Sequence, residues 1–114
     1  MNDPSNNSPA ALDFIGDIHG QFDKLTELLG YESRGALGYR HPQGRQVVFL
    51  GDYIDRGPKI RDTLLTVREM VESGDAFAIM GNHEFNAIAF STPSTRCGYL
   101  RPRTPKNRDQ HQAT

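Results

Sequence analysis

Three short apolar runs, each broken off by glycine and a polar residue, constrain this chain more than anything else in it. Residues 12–15 lead into Gly16-Asp17-Ile18-His19-Gly20. Residues 47–50 lead into Gly51-Asp52-Tyr53-Ile54-Asp55-Arg56-Gly57. Residues 77–80 lead into Gly81-Asn82-His83-Glu84. An apolar run of this length that stops at glycine reads as a buried strand ending in a loop. In an open α/β sheet, ligands gather outside the carboxyl ends of the strands. The three loops would therefore bring carboxylates, imidazoles, an amide and an arginine to one sheet edge. That is the inventory for holding hard or borderline cations beside a phosphate.

The stretches between the runs complete an α/β pattern. Residues 21–29 carry Phe22, Leu25, Leu28 and Leu29 at helical spacing, and Gly30 stops the helix. Residues 39–47 contain His41-Pro42-Gln43-Gly44-Arg45, a turn signal that predicts a hairpin whose second arm continues into residues 47–50. His41 is then a solvated loop residue. Pro58 opens a second helix, with Ile60, Leu64, Leu65, Val67, Met70 and Val71 as its apolar face and Ser73-Gly74 at its end. Residues 76–80 form the next strand. Residues 83–90 form a short helix with Phe85, Ile88 and Ala89 turned inward.

Single residues in these loops also have ordinary readings. Asp17 alone could cap the following helix, and Asn82 alone could be a turn residue. Together they read differently. Asp17 and His19 are two apart on chain leaving a strand, so both can face one ion. Asp52 has two carboxylate oxygens to share between ions. Asn82 can offer a neutral amide oxygen. Arg56 can grip phosphate oxygens as a bidentate fork, or form no more than a surface pair with Asp55. Glu84 reads as structural, at the start of the short helix. No serine or cysteine nucleophile is signalled.

The patterns GDIHG, GDYIDRG and GNHE, in that order, resemble the calcineurin-like metallophosphoesterases, and most of all their serine/threonine phosphatase branch. The resemblance covers residues 12–90. It implies the N-terminal half of an αββα sandwich, a mixed β-sheet flanked by helices. It implies two divalent ions (manganese, iron, zinc or magnesium) with Asp17, His19, Asp52 and Asn82 as metal ligands. Asp52 bridges the ions in the family, and a hydroxide held between them attacks phosphorus. The counterpart of His83 is the general acid that protonates the leaving group, a task suited to imidazole. Asp55 would orient His83. Arg56, Asn82 and His83 would meet the substrate phosphate.

The implied substrate is a phosphate monoester on a phosphoprotein. A dinucleoside polyphosphate of the diadenosine tetraphosphate type is the alternative. One departure counts against a protein substrate: the protein phosphatases place arginine before GNHE, and Met80 stands there here. The family's later metal-binding histidines have no counterpart after Glu84, where His111 is the only histidine and lies in a polar stretch. One weak metal site, rather than a coupled pair, is therefore expected of these 114 residues. A third reading makes the chain an inactive remnant that binds metal or a partner.

Residues 1–10 read as a disordered tail, 11–90 as a partial phosphoesterase domain, and 91–114 as a Pro-rich, basic continuation cut short. The basic residues Arg96, Arg101, Arg103, Lys106 and Arg108 could meet an anionic substrate, or be a solvated, partly disordered segment. A formal net charge of -1 argues against general nucleic-acid binding. The single cysteine, Cys97, permits no internal disulfide and fits a reducing compartment. No apolar run approaches the roughly 20 residues of a membrane span, and residues 1–9 lack the basic and apolar parts of a secretory signal. Cytoplasm is the expected location.

Overall fold

Val47 and Phe49, two residues apart, are both fully buried. Alternation of this kind belongs to a strand whose one face meets a core. A computed structural model describes residues 11–30, 32–33 and 38–114. The tail expected over residues 1–10 lies outside the described residues. In chain order the elements are β1 (Leu12–Ile15), α1 (Phe22–Leu29), β2 (Glu32–Ser33), β3 (Tyr39–Arg40), β4 (Gln46–Phe49), α2 (Ile60–Glu72), β5 (Ala76–Ala78), α3 (Asn82–Ser91) and α4 (Pro105–His111).

The α/β expectation holds. β1, β4 and β5 form a sheet in the order β1-β4-β5. Both pairings are parallel, with Phe14 beside Val48 and Val48 beside Phe77. Parallel neighbours put all three strand ends, and so all three polar loops, on one edge. The helices α1 and α2 supply Leu25, Leu29, Val67 and Met70 to a core with Val47 and Phe49. Each such side chain contributes roughly 1.5–3 kcal/mol on burial. The opposite sheet face is open: Phe14 is 64% and Phe77 55% exposed. Among the described residues no helix is long and apolar enough to cross a membrane.

The predicted hairpin does not form. Residues 41–44 do turn, with Gly44 N–H donating to His41 O at 2.9 Å. However, β3 pairs antiparallel with β2, not with β4. Both edges of β4 are taken by β1 and β5, which leaves β3 no partner there.

Three helix faces also differ in detail from the periodicity. In α1, Leu25 and Leu29 are buried but Leu28 is exposed. In α2 the inward stripe is Ile60, Thr63, Val67 and Met70, whereas Leu64, Leu65 and Val71 are exposed. Thr63 tolerates full burial because its hydroxyl donates to Lys59 O at 2.9 Å. In α3, Phe85 and Ile88 point outward, at 63% and 55% exposure. The helix is rotated by its first turn, which is tied to the loop after β4 through Glu84. That rotation presents His83 and Ala87, one helical turn apart, to the interior.

Residues 91–114 fold back on the domain. Thr104 caps α4 by accepting Asn107 N–H at 3.2 Å, with Pro105 at the first helical position. His111, at the other end of α4, is buried. The basic side chains Arg96, Arg103, Lys106 and Arg108 are exposed, as a solvated face requires.

Candidate metal centre

Asp17, His19, Asp52, Asp55 and Arg56 have positive φ, between 47° and 71°; among the described residues no other non-glycine does. A left-handed backbone costs a side-chain-bearing residue of order 1–3 kcal/mol and persists only where surrounding contacts hold it. Here they do. His19 N–H donates to Asp52 O at 2.9 Å and Gly20 N–H to Tyr53 O at 2.7 Å, so the loops after β1 and β4 are laced together through their backbones. Gly57 permits this approach: a Cβ there would collide with His19 O and with the Gly20 backbone.

The lacing converges three candidate ligands. Asp17, His19 and Asp52 each place one donor atom within 4.8 Å of the others. The His19 Nδ1 is 2.8 Å from Ile54 O. A carbonyl can only accept, so Nδ1 carries the proton and Nε2 keeps its lone pair for a cation. Two carboxylates and a neutral imidazole form a donor set suited to a divalent ion.

Asp52 is also the meeting point of the second and third loops. One carboxylate oxygen accepts His83 N–H at 3.0 Å. The Asn82 amide abuts the same carboxylate, with one terminal atom 3.2 Å from both oxygens. If that atom is nitrogen, it donates. If it is oxygen, two acceptors face one another, which a shared cation would satisfy. Gly81 is needed here as well, because a Cβ on it would overlap the Asp52 carboxylate.

Glu84 holds the arrangement from behind, as its structural reading expects. Its carboxylate accepts from Asp52 N, from Tyr53 N at 2.9 Å and from Gly81 N at 2.9 Å. Tyr53 lies beneath it. Burial, with the Glu84 carboxylate adding to it, pushes the Tyr53 hydroxyl up to about 12. It stays protonated and donates to Ile79 O at 2.7 Å, with Phe49 O 3.2 Å away.

Beside the triad sits a second pair. His83 Nδ1 is 2.8 Å from Asp55 Oδ2. The His83 ring stands edge-on to that of His19, centroids 4.5 Å apart. Asp55 is 1% exposed and turned toward His83, so the surface Asp55–Arg56 pair of the ordinary reading does not exist. Arg56 is exposed at the mouth of the same loop. The structure thus links Asp17, His19, Asp52, Asp55, Asn82 and His83 into one cluster, while Arg56 stands exposed beside it.

Sequence reasoning missed what closes this cluster on its far side. Gln110 Nε2 donates to Asp55 Oδ2 at 3.2 Å, and Thr114 Oγ1 lies 3.4 Å from Asp55 Oδ1. His111 Nδ1 is 3.8 Å from Asp55 Oδ1. Burial holds the His111 imidazole below its ordinary value, against the pull of Asp55 and with Arg101 and His83 adding to it. The Thr104-Pro105 pair was a legible helix start. Nothing in the polar residues after it signals a docked helix.

A family model for calcineurin-like phosphoesterases matches residues 11–111. The bis(5'-nucleosyl)-tetraphosphatase PrpE [asymmetrical] of Halalkalibacterium halodurans is 47% identical over 76 residues, covering 63% of this chain and 30% of that protein. The protein of the same name from Geobacillus sp. is 45% identical over 75 residues, covering 63% and 30%. That from Bacillus subtilis is 41% identical over 76 residues, covering 64% and 31%. The matched stretch spans less than a third of each of these relatives.

Proposed function

The chain belongs to the calcineurin-like phosphoesterase family, and from that premise we propose that its site serves metal-dependent hydrolysis of a dinucleoside polyphosphate rather than of a phosphoprotein. The reading is carried by the similar proteins, which are named bis(5'-nucleosyl)-tetraphosphatases. Met80 supports it, standing where the protein phosphatases have arginine. The phosphoprotein reading, first suggested by GDIHG, GDYIDRG and GNHE, is the weaker of the two.

Asp17, His19 and Asp52 would hold one divalent ion, and Asp52 with Asn82 would contribute to a second. The bound metal would act as a Lewis acid and make water acidic near neutral pH. The protein's own groups do the rest. Arg56, exposed at the loop mouth, binds phosphate oxygens through its guanidinium fork. Asn82 and His83 line the same side. His83 gives a proton to the departing oxygen from Nε2, while Nδ1 stays bound to Asp55. Asp55 keeps that tautomer and stabilises the charged ring. Residues 11–90 carry these groups, and 91–114 continue the same domain. The lone cysteine, Cys97, accords with work in the reducing cytoplasm.

The experiment is a substrate comparison with manganese present. Diadenosine tetraphosphate, a phosphopeptide and nitrophenyl phosphate are assayed on this chain, with Asp52→Asn as control. Hydrolysis of the dinucleotide above that of the phosphopeptide, and abolished in the control, supports the proposal. Preference for the phosphopeptide would overturn it. Turnover by these 114 residues is expected to fall well below roughly 1 s⁻¹, the low end of ordinary enzymes, because the second ion has so few ligands among them.

A further inference from the structure

Gln110 is an ambivalent side chain until its neighbours are considered. Its amide has an acceptor and a donor end, and here each end has its own partner. The Arg101 guanidinium donates to Gln110 Oε1 at 3.4 Å. Gln110 Nε2 donates to Asp55 Oδ2 at 3.2 Å. Arginine can only donate and a carboxylate can only accept, so the amide has one orientation that satisfies both. Asp55 Oδ2 is also the oxygen that meets His83 Nδ1. Four side chains therefore stand in a row: Arg101, Gln110, Asp55, His83.

The far end of this row is anchored. Arg101 also donates to Asn107 Oδ1 at 3.0 Å, one turn before Gln110 on α4. Its backbone N–H donates to Ala89 O at 3.0 Å, which ties it to α3. The His111 ring packs on Phe90, centroids 4.8 Å apart, and closes the space beside Asp55. Asp55 is itself strained, at φ 69°. Its carboxylate is held from outside its loop, with Gln110 and His83 sharing Oδ2 and Thr114 facing Oδ1.

We propose that Gln110, set by Arg101, is a positioning residue for the His83–Asp55 pair: it pins Asp55 Oδ2 so that His83 keeps its proton on Nδ1 and turns Nε2 toward the metal loop. This rests on the reading that Asp55 orients His83. The last helix, α4, then serves the site from 55 residues further along the chain, through one hydrogen bond whose direction is dictated by arginine. The polar partners of Gln110 are Arg101 and Asp55, so its effect on the site passes through Asp55.

The test reads the His83 ring directly. In the ¹⁵N-labelled chain, at a pH where the ring-nitrogen shifts themselves report a neutral imidazole, the two ring nitrogens of His83 are assigned from correlations to its carbon-bound protons. The unaltered chain shows Nδ1 protonated and Nε2 bare. Gln110→Met keeps the length of the side chain and removes the donor. It shifts the tautomer equilibrium toward that of free imidazole by about tenfold, the size of one lost hydrogen bond. Arg101→Met shifts it the same way and less. Manganese affinity at Asp17, His19 and Asp52 stays unchanged in both, and the amide spectrum reports an intact fold. A His83 tautomer that does not move in Gln110→Met overturns the proposal. Asp55→Ala separates the two levels: if it too leaves His83 unmoved, the orienting role of Asp55 falls, and this proposal with it. If Asp55→Ala moves the tautomer and Gln110→Met does not, only the role of Gln110 is lost.

Discussion

The Glu84 carboxylate accepts the backbone N–H of Asp52, joining the first turn of α3 to the loop that carries the central metal-binding candidate. The two residues are 32 apart in sequence. The same carboxylate takes the N–H groups of Tyr53 and Gly81. The clamp adds to the His19 N–H bond to Asp52 O in holding the left-handed backbone of Asp52, at φ 56°. Glu84 thus supports the loops that carry the candidate ligands.

Glu84→Ala leaves three half-buried N–H groups without their acceptor. A hydrogen bond to a charged group contributes about 1.5–3 kcal/mol, and water recovers part of each loss here. The expected cost is about 2–4 kcal/mol in urea unfolding. Glu84→Gln, which keeps an acceptor oxygen, should cost roughly half as much. A cost below about 0.5 kcal/mol for the alanine variant, typical of an unconnected surface position, would contradict the clamp.

His83→Asn tests the proton donor. For an alkyl phosphate leaving as alkoxide, turnover should fall by about 10²–10⁴, the usual contribution of a general acid. Divalent-metal affinity should stay near that of the unaltered chain, because the triad does not include His83. The loss should be smaller for nitrophenyl phosphate and for a dinucleoside polyphosphate, whose leaving groups need little protonation. Equal losses for good and poor leaving groups would argue against this role.

The buried His111 gives stability a pH dependence of known sign. The unfolded chain binds a proton there near the ordinary value of 6.5, while burial keeps the folded chain from doing so until lower pH. Between the two values the unfolded state holds more protons. Stability from this group is fully present above about pH 6.5 and is lost as pH falls through that value toward the folded one. One such group changes stability by at most about 1.4 kcal/mol per pH unit. Melting curves of the unaltered chain and of His111→Phe, compared from about pH 7 down to pH 5, should diverge in slope, with the variant flatter. Parallel slopes would show that His111 titrates alike in both states.

The sheet and the site were legible for one physical reason. Strands buried in a parallel sheet are short apolar runs, and the residues after them sit at its carboxyl edge. Asp17, His19 and Asp52 could be placed from that alone. The orientation of α3 could not. Phe85 and Ile88 looked inward by composition, yet the helix turns as the Glu84 clamp dictates, and that clamp joins residues distant in sequence. The false hairpin at residues 39–47 failed in the same way: its turn was real, but strand pairing depends on which edges remain free. Gln110 and His111 were invisible because a polar helix reads as solvated until something buried, here Asp55, is found to need its polar groups.

The central claim is that the loops after β1 and β4 build one metal centre, and calorimetric titration of manganese into the purified chain tests it most directly. The account predicts one saturable, weak site per chain, with Asp17, His19 and Asp52 as its ligands. Asp17→Ala and Asp52→Ala should each abolish it, and Arg56→Ala should leave it in place. Two tight sites, or a single site that survives Asp17→Ala and Asp52→Ala, would contradict the account.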